Sequence, residues 1–198
     1  MRTATVFLGV AVLMGVSAIG GPAPISASQS REEFTAVAQM PSIAGNPMVG
    51  SGATTNLTIS IDSYSSEEEA RTMAATFAKG QHKALRKALE KAPVRARVSF
   101  EGRNGFFELK LLRSTTTANG RQIYGVSDRT VRAFDAYYPG RSHLEEFGIL
   151  QLDLTKNGDV EEGTGVLIHK SNIKSFDPNS ITLDDHGIEP VHLTIRKQ

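Results

Sequence analysis

Alternating apolar and polar side chains mark the chain from Asn56 onward. Leu57, Ile59 and Ile61 alternate with Thr58, Ser60 and Asp62, as in a strand with one buried face. The period then changes. Ser66-Glu67-Glu68-Glu69 has the form of a capping box, with Ser66 accepting a backbone N–H and Glu69 reaching back. Ala70, Met73, Ala74, Phe77 and Ala78 fall at helical spacing, and Leu85, Ala88 and Leu89 continue the stripe. Gly80 interrupts it, so the segment is one kinked helix, with glycine costing about 1 kcal/mol, or a helix pair, which the pattern slightly favours. Pro93 ends it.

Strands are expected next at Val94–Phe100, Phe106–Leu112, Gln122–Val126 and Val131–Phe134. Further strands follow at Ile149–Thr155, Val160–His169, Ile181–Leu183 and Val191–Ile195. Asn157-Gly158 gives the strongest hairpin signal, because both residues tolerate the positive φ of a type I′ turn. Pairing outward from Lys156 and Asp159 sets Leu154, Leu152 and Leu150 opposite Glu161, Gly163 and Gly165. The two glycines predict a distortion between Glu161 and Gly165. Together these elements predict an α+β fold. An N-terminal helical segment packs on a curved, mainly antiparallel sheet of about seven or eight strands.

The first 53 residues follow neither period. Met1 and Arg2 precede an apolar run from Ala4 to Gly21, and small residues surround Ala27, the pattern of a cleaved signal peptide over residues 1–27. Residues 28–53 read as a flexible linker rich in Ser, Ala, Gly and Pro, with at most a transient helical turn at 32–40. Residues 54–198 then form a single domain, with no membrane span in the mature chain and a secreted or periplasmic location.

Composition narrows the chemistry. The chain has 198 residues, 22 Lys+Arg, 21 Asp+Glu and no Cys or Trp. Disulfide frameworks, thiolate metal sites and cysteine nucleophiles are excluded. Charge is uneven along the chain: residues 71–141 hold 15 basic and 5 acidic side chains, and residues 142–198 hold 5 and 10. Lys79, Lys83, Arg86 and Lys87 lie opposite the Leu85–Ala88 stripe and form a candidate polyanion-binding face. The competing reading has these cations meeting the acidic later strands within the molecule. No aromatics interleave them, which argues against nucleic acid as the partner.

Tyr137, Tyr138, Arg141 and His143 share one irregular segment and form a second candidate site, for a ligand or protein partner. His143 with Asp135, Glu145 or Glu146 offers acid–base groups, but at no recognised metal-ligand spacing. Asp153 to Glu161 superficially resembles a calcium loop, yet its twelfth position is Thr164 and its flank alternates like a strand. Ser171-Asn172-Ile173-Lys174 matches a Ser-x-x-Lys motif without its companions. The sequence assigns no catalytic residue, metal or cofactor.

Several short motifs carry a resemblance. Ser66 with Glu67-Glu68-Glu69, Ala84-Leu85 with Ala88-Leu89, Ser127-Asp128-Arg129, Glu162-Gly163 and Pro190-Val191-His192-Leu193-Thr194 resemble an uncharacterised family of secreted bacterial proteins. Where its members often carry Trp after the Arg129 position, this chain has Phe134. The resemblance implies a helical segment followed by antiparallel strands, and no activity. The expected function is an exported, non-enzymatic binding domain at the cell envelope or outside the cell, with an anionic envelope component or a protein as partner. The alternatives are a small hydrolase or metal-dependent enzyme using the 135–146 loop, and an assembly partner pairing through a sheet edge.

Overall fold

The computed structural model describes residues 31–39, 54–102, 106–131, 147–184 and 191–197. Strands β1 (Glu32–Gln39) and β2 (Thr54–Ile61) come first, then helix α1 (Glu67–Lys91). Nine strands follow: β3 (Ala96–Phe100), β4 (Phe106–Leu109), β5 (Leu111–Thr117), β6 (Gly120–Val126), β7 (Phe147–Asn157), β8 (Val160–Ser171), β9 (Ile173–Asp177), β10 (Ser180–Leu183) and β11 (Val191–Lys197). One antiparallel sheet takes nine strands in the order β4-β3-β2-β1-β11-β8-β7-β6-β5, and β9 and β10 form a separate hairpin. The α+β class with a curved antiparallel sheet therefore holds. The helix is not N-terminal, however, because two strands precede it, and the main sheet alone exceeds the expected strand count.

The largest correction concerns Glu32–Gln39, expected as linker. This segment is β1 and lies inside the sheet, pairing with β2 from Glu32↔Ile61 to Gln39↔Thr54 and with β11 from Phe34↔Lys197 to Gln39↔His192. Its inward residues are Phe34, Ala36 and Ala38. Two alanines give little hydrophobic contrast, so the backbone ladder and one phenylalanine hold a strand whose alternation is faint. Residues 1–30, where the signal peptide is expected, and residues 40–53 lie outside the described residues, as does the expected 131–134 strand beyond Val131.

The sheet curls strongly, nearly to a barrel. Edge strands β4 and β5 are separated by Lys110 alone. On either side of that residue the neighbouring ladders continue: the Lys110 N–H donates to the Val126 carbonyl of β6 (2.9 Å), and the Arg95 N–H, just before β3, donates to the Leu109 carbonyl of β4 (2.8 Å). The concave face encloses one apolar core, including Phe34, Leu57, Ile59, Val98, Leu152 and Leu193. A second core lies under the helix, where Phe77, Leu85 and Leu89 pack with Leu111, Tyr124, Ile149 and Phe176. Burying each such side chain contributes about 1.5–3 kcal/mol. Met73, expected in this core, is only half-buried at its margin.

The β7–β8 hairpin differs from its expected register by two residues. Asn157 pairs with Val160, so Gly158-Asp159 makes the turn, and Gly158 has φ 63°. Glycine at the first turn position is the type II′ pattern, not I′. Leu154, Leu152 and Leu150 consequently face Gly163, Gly165 and Leu167. The expected distortion at 161–165 does not occur; the register shift falls between Phe147 and Ile149. The glycines serve close approach instead. A Cβ at Gly163 would stand 2.0 Å from the Asp153 carbonyl oxygen, and one at Gly165 would stand 2.5 Å from that of Gln151.

Candidate functional site

Helix α1 begins as its sequence requires. The Ser66 hydroxyl accepts from the Glu69 N–H (3.1 Å), and the Glu69 carboxylate accepts from the Ser66 N–H (2.7 Å). Arg95 holds the same carboxylate at 2.5 Å. Burial pushes the Glu69 carboxyl up, but the Ser66 bonds and the Arg95 charge outweigh it and hold it below its ordinary value. Helical dihedrals continue to Gly80 and fail at Gln81, which has φ 52° and ψ −152°. Element α1 is therefore two helical segments, one ending at Gly80 and the other resuming at His82, which meet at a sharp kink, as the pattern slightly favours. Its second half is docked by His82, whose Nε2 lies 2.7 Å from the Ile173 carbonyl and whose ring packs between Phe77 and Phe147.

With Ala70, Phe77, Leu85 and Leu89 buried, Lys79, Lys83, Arg86 and Lys87 are left on the exposed side. No acidic residue occurs from 70 to 89. Arg86 lies 3.4 Å from Glu90, a half-exposed pair worth little. Among the described residues, Lys79, Lys83 and Lys87 have no ion pair. The kink falls between Lys79 and Lys83, so the four cations belong to two short helical faces.

The acidic strands find other partners. Arg121 on β6 donates through Nε to Glu161 (2.5 Å) and through Nη2 to Glu161 (2.7 Å) and Glu32 (2.5 Å). Its Nη1 donates to Tyr64 (2.9 Å) and Glu32 (3.3 Å), so every guanidinium N–H has an acceptor. Lys197 adds contacts of 3.4 Å to Glu32 and 3.2 Å to Glu161. Burial raises both carboxyls, but Arg121 and then Lys197 outweigh it and hold them below their ordinary range. Burial pushes the Tyr64 hydroxyl up. This cluster spans one end of the curled sheet and is internally neutralised. The sequence does carry a signal for it: Glu32, Arg121, Glu161 and Lys197 are in phase with the core-facing Phe34, Ile123, Gly163 and Ile195, where a charge needs a partner.

Tyr137, Tyr138, Arg141 and His143, with the acid–base groups beside them, lie outside the described residues. The calcium-like segment is the β7–β8 hairpin. Ser171 ends β8 and is buried, whereas Lys174 on β9 is exposed, so the Ser-x-x-Lys residues diverge. Among the described residues no three His, Asp or Glu side chains gather to hold a metal ion, and no helix is long and apolar enough to cross a membrane. No protein family, no curated protein and no solved structure matches the chain.

Proposed function

We propose that this chain is an exported, non-enzymatic binding domain that engages a polyanionic component of the cell envelope or its surroundings through the outer face of α1. The observation that carries this reading is the set of exposed Lys79, Lys83 and Lys87, which have no ion pair among the described residues. Intramolecular neutralisation would tie these cations to the acidic later strands. Glu161, which lies on one of those strands, is instead committed to Arg121 and Lys197 at the end of the sheet. Exposed cations whose one acidic neighbour among the described residues is Glu90, beside Arg86, attract anionic polymers and surfaces. The leader-like first 27 residues and the resemblance to secreted bacterial proteins support export.

Heparin chromatography tests the reading. The protein should be retained and elute earlier as salt rises. The double variant Lys83→Glu/Lys87→Glu should lose most retention, while Lys156→Glu/Arg196→Glu should lose little. Equal losses would reduce the effect to net charge and remove the helix from the account. N-terminal sequencing of the natural protein should begin at or near Ser28; retention of Met1 would refute export by cleavage.

A further inference from the structure

The opposite side of the curled sheet points to a separate site, and we infer that it binds a linear, uncharged polysaccharide. A groove of about 720 Å³ runs over the outer faces of β3, β2, β1, β11 and β8. Strand register lines up one row that crosses it and continues one strand beyond it to Phe106: Phe106↔Ser99↔Thr58↔Thr35↔Arg196↔Glu162. At the usual strand spacing this row extends roughly 24 Å along the sheet. Three half-buried hydroxyls form its middle, and exposed charged side chains stand at one end. Phe106 stands at the other, 58% exposed, with Arg97 over its ring at 5.6 Å. Asn56, Glu101 and Thr194 border the row.

Such a surface matches a chain of sugar rings better than other ligands. Sugar hydroxyls need partners that both donate and accept; the lining hydroxyls supply both, and the Asn56 amide, which donates to the Glu101 carboxylate, keeps its second N–H while that carboxylate keeps its other oxygen. The groove's own hydroxyls are weakly committed: Thr35 reaches the Arg196 carbonyl at 3.4 Å and Ser99 reaches that of Thr58 at 3.5 Å, both long. Thr58 and Thr194 have no hydrogen bond through their hydroxyls among the described residues. An exposed phenyl face gives a ring the stacking surface that hydroxyls cannot. Glu101, Glu162 and Arg196 leave the lining close to neutral, which disfavours a polyanion. The floor strands are all paired on both sides, so no backbone is open to an added peptide strand. Among the described residues, only Val37 offers an exposed large hydrophobic group inside the groove.

Native affinity electrophoresis through gels containing hydroxyethylcellulose, mannan or dextran tests this inference on the full chain. The protein should be retarded by at least one of the three. Phe106→Ala and the double variant Thr58→Val/Thr194→Val should each weaken that retardation about tenfold or more, with melting temperatures recorded to exclude unfolding. Lys83→Glu/Lys87→Glu should leave it unchanged. Absence of retardation in all three gels overturns the inference, as does retardation that the groove variants do not alter. Heparin retention without glycan retardation would uphold the helix reading and sink this one.

Discussion

Arg121 and Glu32 meet at 2.5 Å although three strands separate β6 from β1 in the sheet. The contact is a chord across the curl, so it reports the curvature of the sheet directly. With side-chain exposures of 19% and 17%, both groups are largely removed from water, and neither can lose its partner cheaply.

Replacing Arg121 with Met should cost about 3–5 kcal/mol in urea denaturation, because two buried carboxylates would be left with Lys197 alone. Adding Glu32→Gln and Glu161→Gln should recover part of the loss. A single-variant cost below about 0.5 kcal/mol, the level of an ordinary surface change, would show that the cluster does not hold the sheet curled.

Acid should loosen the same end. Glu32 and Glu161 titrate below their ordinary value of 4.5 in the folded protein. The folded state therefore binds fewer protons than the unfolded state as pH falls through that range. Their contribution is complete above the unfolded value and is lost as pH drops towards the lower folded one. Melting temperature should decline steeply below pH 4.5, and less steeply in Arg121→Met, whose carboxyls no longer titrate low.

Two glycines on β7–β8 should respond differently to alanine. Gly163→Ala should cost at least about 3 kcal/mol, since its Cβ would stand 2.0 Å from a backbone oxygen. Gly158→Ala has open space and only its φ of 63° to oppose it, so about 1 kcal/mol is expected. Equal costs, read from thermal melts, would contradict the register.

Gln81 holds a backbone conformation that glycine adopts most easily, so Gln81→Gly should stabilise the protein by about 1 kcal/mol or more despite glycine's greater freedom when unfolded. Gly80→Ala should destabilise it, because the added Cβ would lie 2.5 Å from the Ala84 Cβ. A melting temperature lowered by Gln81→Gly would remove strain as the property of this kink.

Phe77→Ala should cost about 3–5 kcal/mol. The ring is buried under the helix and meets Phe176 edge-on at 6.4 Å. An unchanged melt would detach α1 from the second core.

Local signals carried much of this architecture. Ser66 and Glu69 form their cap because four adjacent residues contain all its parts. Leu150, Leu152 and Leu154 are legible because each is large and faces one core. The β1 strand was obscured by Ala36 and Ala38, and β9 by its brevity between Asn172 and Pro178. The Arg121 cluster required knowing which distant strands adjoin: Glu161 is 40 residues away and Glu32 is 89. The exposed helix cations were legible from spacing, whereas the Phe106–Glu162 row exists only once register has assembled six strands.

The position of β1 has a temporal consequence. It pairs on one side with β2, which follows it closely, and on the other with β11, which ends the described chain. During synthesis the first strand must wait for the last. A polypeptide halted before Val191 would present β1 and β8 as two raw edges, since β11 is the piece that joins them. Such edges invite pairing between molecules. Joining of the two halves of the sheet is thus withheld until β11 has emerged, and products truncated before it should self-associate more than the chain that carries it.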